Sequence, residues 1–151
     1  AGIAATAAPM FKKLSLELGG KNPNIIFADC DFDAMLRTTI QSSFANQGEI
    51  CLCGSRIFVE RPIYEKFKAA FVEKAKQLRP GDPADEKSRM GAIVSQAHME
   101  KILSYVELAK QEGGTVLTGG KRHLLGGDLK DGWFIEPTII VAKDPKYVTM
   151  C

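Results

Sequence analysis

Histidine and tryptophan are scarce in this sequence, two of the first and one of the second, and only four of its 151 residues are cysteine (Cys30, Cys51, Cys53, Cys151). Four cysteines are too few to staple a chain of this length, so a disulfide scaffold is excluded and reduced thiols are expected. No apolar run approaches the ~20 residues that a membrane-spanning helix requires. Neither sign of charge dominates: 20 Lys and Arg against 18 Asp and Glu leave +2, spread along the chain. That distribution lacks the basic stripe of a nucleic-acid binder. Low-complexity tracts and internal repeats are missing too. What is present, 45% apolar and 25% charged residues, is the balance of a globular protein of about one domain.

The first residues, Ala1 to Ala8, are small and helix-compatible, with no Met and no charged start or long apolar core of a signal peptide. They read as a helix already under way. Lys143 to Cys151 run out without a helix stop. The expectation is a piece of something larger.

Between these ends, strand and helix signals alternate. Leu14, Leu16 and Leu18 share one face of a short run and Ser15 and Glu17 the other, the period of a half-buried strand. Gly19-Gly20 breaks it, and Asn24 to Phe27 reads as a second strand. Asp31 and Asp33 offer N-caps to a helix carrying Leu36, Ile40 and Phe44, with Asn46-Gln47-Gly48 as its stop. Arg56 to Val59 is a buried-strand pattern, and Pro62 suits the first turn of a helix with Ile63, Phe67, Ala70, Phe71, Ala75 and Leu78 on one face. Ser95 caps a second amphipathic helix bearing Met99, Ile102, Leu103, Val106 and Ala109, closed by Gly113-Gly114. Thr115 to Leu117 reads as a strand, Gly119 to Gly132 as a Gly-rich loop, and Trp133 to Ile135 and Thr138 to Ala142 as edge strands around Pro137. Strands alternating with helices of this length indicate an α/β fold.

Two segments carry candidate chemistry. Cys51 lies just past a helix and a glycine, with Arg56 five residues on. A loop between helix and strand gives a thiol the access a nucleophile needs, although free cysteines commonly act as small buried hydrophobes. Zinc wants four ligands in spaced pairs, and Cys51 and Cys53 have only His98 and His123 to complete a set, so no metal site is expected. Glu17, at the end of its strand and followed by two glycines, stands where a base can work. Taken alone, the residue reads more simply as facing water on the polar side of its strand.

Leu16-Glu-Leu-Gly-Gly-Lys21, followed by Asn46-Gln-Gly-Glu-Ile-Cys51 and Ser55-Arg56, closely resembles the two active-site signatures of the aldehyde dehydrogenase superfamily. Lys110 to Gly114 and Glu136-Pro-Thr138 match as well, so the resemblance runs along essentially the whole chain. Both signatures stand in order, with 34 residues from Glu17 to Cys51. The Gly-Glu-Ile-Cys-Leu-Cys string is similar to the branch acting on aminomuconate-type semialdehydes; Glu49 stands where most members carry Gln.

The resemblance implies a partial aldehyde dehydrogenase-like catalytic domain over residues 20–151, preceded by the tail of a Rossmann-like cofactor domain over residues 1–19. It implies oxidation of an aldehyde to a carboxylic acid with NAD, or NADP, as acceptor. By the resemblance Cys51 is the nucleophile, forming a thiohemiacetal and then a thioester, and Glu17 activates the water that hydrolyses it. The Cys51 backbone N–H would hold the oxyanion, together with an asparagine upstream of this chain. Leu18 and Gly19 would lie beside the nicotinamide. His98 and Lys101 fall where members contact the nicotinamide-side ribose, although an exposed helix face explains them equally. Cys53 is a bystander able to pair with Cys51 on oxidation. A cytoplasmic homodimer or homotetramer at full length is expected, with the isolated stretch inactive. A crystallin-like relative that keeps the fold without activity is the alternative, and retention of both Cys51 and Glu17 speaks for the enzyme.

Overall fold

A computed structural model describes residues 1–150; Cys151 lies outside the described residues. The small residues at the start form helix α1 (Gly2–Ala7), which tightens into a 3₁₀ turn at Ala8–Met10 and ends at Phe11 with φ 53°. From there to Asn22 the chain has no regular structure, and Leu14, Leu16 and Leu18 are all exposed. The strand expected over Lys13 to Leu18 is therefore not formed. Alternation gives a strand its two faces, but the strand exists only where another takes up its amides and something covers its apolar side. No described strand pairs with this segment.

Strand β1 (Pro23–Ile26) follows, then α2 (Phe32–Phe44) and β2 (Arg56–Val59). The two strands run parallel, Pro23 opposite Arg56 and Ile26 opposite Val59, so α2 is the crossover of a strand–helix–strand unit. The Asp31 carboxylate accepts from the Ala34 N–H at 3.0 Å and starts α2 as the sequence predicts. Pro62 opens a 3₁₀ turn (Arg61–Ile63) that leads directly into α3 (Tyr64–Lys76). Ile26, Leu36, Phe67 and Phe71 form the core between these elements. The Phe67 and Phe71 rings stack at 5.1 Å, and each large side chain fully covered contributes roughly 1.5–3 kcal/mol.

The second half is built on α4 (Gln96–Gln111), whose first turn is capped by the Ser95 hydroxyl accepting from the His98 N–H at 3.2 Å. Met99 on this helix packs with Ile93 and Ile135, flanked by Ile102, Leu103 and Trp133, in a separate apolar cluster. Strands β3 (Thr115–Thr118) and β6 (Ile139–Val141) pair antiparallel with an irregularity between Val116 and Thr118. The stretch expected as a loop from Gly119 to Gly132 is more ordered than its glycines suggest. It holds β4 (Arg122–His123), paired with β5 (Phe134–Ile135), and a 3₁₀ turn at Gly127–Leu129. Among the described residues no helix is long and apolar enough to cross a membrane.

Candidate active site

The loop that carries Cys51 leaves α2 by an abrupt change of backbone. Asn46, Gln47 and Gly48 take φ of 49°, 58° and 79° in succession, where a side-chain-bearing residue costs roughly 1–2 kcal/mol relative to its ordinary conformation. Glycine is required at 48, since an added Cβ would also stand 3.0 Å from the Ser43 carbonyl. The chain then turns again, the Cys53 N–H donating to the Ile50 carbonyl at 2.9 Å.

That second turn separates the two thiols. Cys51 is exposed, whereas Cys53 is buried with its Sγ 3.9 Å from the Ala45 carbonyl at the end of α2. Both are free thiols. Cys53 is thus the small buried hydrophobe of the pair, and Cys51 has the access that nucleophilic attack demands. The Cys51 N–H donates to no described residue, which leaves it open to an incoming oxygen.

The loop is pinned from below. Asn22 Nδ2 donates to the Cys51 carbonyl at 2.6 Å and lies 3.4 Å from that of Cys53. The Gly54 N–H reaches both the Ser42 carbonyl and hydroxyl, and the Gly54 carbonyl accepts from Ser43 Oγ at 3.2 Å. A Cβ at position 54 would meet Ser42 Oγ at 2.8 Å and Asn24 Cβ at 3.2 Å. Arg56 donates to the Lys21 carbonyl at 2.6 Å through Nη2 and lies 3.4 Å from the Met150 carbonyl through Nη1. Asn22 is the residue that sequence reasoning missed. Its one signal was a polar amide directly ahead of a strand, close to the Gly19-Gly20 break.

Glu17, Leu18 and Gly19 all lie in the exposed segment that precedes Asn22. The Glu17 carboxylate makes no hydrogen bond or ion pair to any described residue. Leu18 is 84% exposed, and Gly19 has φ 67° with open space where a Cβ would stand. Asn22, five residues on from Glu17, and the Lys21 carbonyl beside it tie this segment to the Cys51 loop and the start of β2. Two cavities, of about 390 and 520 Å³, open on either side of the β1–β2 pair; neither is lined by Cys51 or Glu17.

His98 and Lys101 sit one turn apart on α4. His98 Nε2 lies 2.9 Å from Glu49 Oε1, so this ring faces the Cys51 loop. The Lys101 ammonium is exposed and engages no described residue. The backbone at Leu18-Gly19 is open and the Lys101 ammonium free, while the His98 ring is engaged by Glu49. Among the described residues no group of three or more His, Cys, Asp or Glu is placed to hold a metal ion. The clearest carboxylate perturbation lies elsewhere. The Thr149 hydroxyl, with the N–H groups of Val148 and Thr149 and the Lys21 charge, holds Glu112 below the usual carboxylate range, against a smaller opposing effect of burial.

Comparison with known proteins covers the whole of this arrangement. The aldehyde dehydrogenase family matches residues 1–151. The 2-aminomuconic semialdehyde dehydrogenase of Mus musculus is 50% identical over 140 residues, covering 91% of this chain and 29% of that protein. The 2-aminomuconic 6-semialdehyde dehydrogenase of a Pseudomonas species is 45% identical over 138 residues, covering 91% of this chain and 28% of the relative. Among solved structures, betaine aldehyde dehydrogenase from Staphylococcus aureus in complex with NAD+ superimposes with a TM-score of 0.89 at 40% identity, over 99% of this chain and 29% of that one. The chain spans under a third of the length of these relatives.

Proposed function

The chain belongs to the aldehyde dehydrogenase family, has the α/β fold of its members, and from that premise we propose that it is the thiol-bearing part of an NAD-dependent enzyme oxidising an aldehyde to a carboxylic acid. The observation that carries the proposal is the contrast between the two neighbouring thiols, Cys51 exposed and Cys53 buried. Residues 1–19 are the tail of the cofactor domain in this reading, and residues 20–151 part of the catalytic domain.

Cys51 Sγ, as thiolate, adds to the aldehyde carbonyl carbon and forms the C–S bond of a thiohemiacetal. The new oxyanion lies against the free Cys51 N–H, and an oriented donor of this kind is typically worth ~10²–10³ in rate. Leu18-Gly19 and Lys101 would hold NAD, which would supply the acceptor for the hydride lost from the former aldehyde carbon. The acyl group is then held on Sγ as a thioester. Glu17 takes a proton from water, the hydroxyl oxygen bonds to the acyl carbon, the C–S bond breaks, and the acid leaves with Cys51 restored. Glu17 stands in solvent here. Its meeting with Cys51 in a shared cleft calls for protein beyond these residues.

The similarity to relatives named for aminomuconic semialdehydes favours an aldehyde of that class. NADP in place of NAD, and assembly as a homodimer or homotetramer in the cytoplasm, belong to the same proposal. Cys51→Ala in the complete protein is expected to abolish aldehyde-dependent NADH formation, measured by absorbance. Retained turnover overturns the assignment of Cys51, whereas a complete parent protein without aldehyde-dependent turnover leaves the non-catalytic, crystallin-like reading.

A further inference from the structure

Three successive residues of positive φ, Asn46 to Gly48, come immediately before the thiol-bearing turn. Such a run does not hold itself; conformations of this kind persist where surrounding contacts over-determine them. Besides the hydrogen bonds that pin residues 51–54, two side-chain ties hold the start of the loop, one reaching the segment ahead of α4 and the other the first turn of α4 itself. Gln47 Nε2 donates to the Ala92 carbonyl at 3.3 Å, and Glu49 Oε1 meets His98 Nε2 at 2.9 Å. The His98 backbone is itself fixed, since its N–H is the one the Ser95 hydroxyl caps. The pair spans 49 residues of sequence and closes on the loop two residues ahead of Cys51.

We propose that Glu49 and His98 are a positioning pair that clamps the Cys51 loop to the first turn of α4, fixing how the thiol is presented. The inference rests on the reading of Cys51 as nucleophile. It moves His98 away from the ribose contact expected from the sequence and gives it a role on the protein itself. Lys101, one turn along the same helix, keeps the cofactor side. The clamp therefore joins the nucleophile loop to the helix that meets the cofactor. A half-exposed polar pair adds little stability of its own. Its effect is geometric, because it selects one arrangement of a loop that has others available.

Hydrogen–deuterium exchange, read at the amides of Glu49 and Cys53, tests the clamp. His98→Ala and Glu49→Ala should each quicken exchange about threefold or more, with no further gain in the double variant. His98→Gln, whose amide still donates to Glu49, should return to within about twofold of the parent. Unchanged exchange in the single variants, or effects that multiply in the double one, overturn the clamp. Should an alanine variant lose its helical signal, H98E is compared with H98Q; equal exchange in those two is equally fatal. In the complete protein, H98A should lower kcat about threefold or more with KM changed less than twofold, and H98Q should recover it. No change in kcat, or a change confined to KM for NAD, overturns the positioning role. Exchange involves no aldehyde chemistry, so the clamp and the nucleophile assignment fail separately.

Discussion

The side-chain amide of Asn22 donates to the backbone carbonyl of Cys51 across 2.6 Å. One residue ahead of β1 thereby holds the turn that presents the thiol, and the same nitrogen lies 3.4 Å from the Cys53 carbonyl. Asn22→Ala should cost about 1 kcal/mol in urea unfolding, the net worth of a typical hydrogen bond. Asn22→Asp, nearly the same shape, should cost more than alanine, because an acceptor-only carboxylate then faces two carbonyls. An aspartate variant as stable as the parent would remove Asn22 from this role.

Gly54 is expected to tolerate no side chain without movement. Ser42 Oγ can rotate away from a new Cβ, but Asn24 Cβ, on β1, cannot. Gly54→Ala should therefore destabilise by about 1–3 kcal/mol, as overpacked sites do. The midpoint of denaturant unfolding reads this directly, and an unchanged midpoint contradicts the close approach.

Glu17 divides the proposed reaction into two halves. In the complete protein, Glu17→Gln should release one equivalent of NADH in a burst and then stall at the thioester, since an amide takes no proton from water. Stopped-flow absorbance separates the burst from the steady state. A steady-state rate equal to the parent's takes Glu17 out of the mechanism.

Glu112 makes docking of the C-terminal turn depend on pH. Its carboxylate accepts from the Thr149 hydroxyl at 2.6 Å and from the Val148 N–H at 2.6 Å, and these hydrogen bonds hold its pKa below the usual range. A carboxylate with a depressed folded-state pKa contributes stability above its unfolded value, about 4.3, and loses it as pH falls through the folded one. Protection of the Val148 and Thr149 amides, measured against their intrinsic exchange at each pH, should thus fall below about pH 4. Glu112→Gln should remove that pH dependence, and if the dependence persists the carboxylate is not its source.

Much of this was legible in the residues themselves. Asp31 and Ser95 announced the starts of α2 and α4 because capping is local, a side chain serving an amide three residues away. Arg56 to Val59 read correctly as β2 because β-branched and aromatic residues favour a strand, although Phe58 stays exposed and the strand is not buried on both sides. Lys13 to Leu18 misled, since its alternation says nothing about whether a neighbouring strand is there to receive it. The contrast between Cys51 and Cys53 was not readable from spacing; it arises from the turn between them. Asn22 and the Glu49–His98 pair escaped for a common reason: each acts on a partner 29 or more residues distant, and nothing in the local pattern names that partner. The family motifs pointed to Cys51 and Glu17, and folding of this stretch alone brings only the first into a built environment.

The single tryptophan, Trp133, belongs to the cluster around Met99 and Ile135, apart from the one that joins β1, β2, α2 and α3. Its fluorescence therefore watches one apolar centre and is blind to the other. Melting followed by emission will trace the α4 side alone, whereas far-ultraviolet dichroism sums every helix. Any gap between the two curves measures how independently the halves come apart.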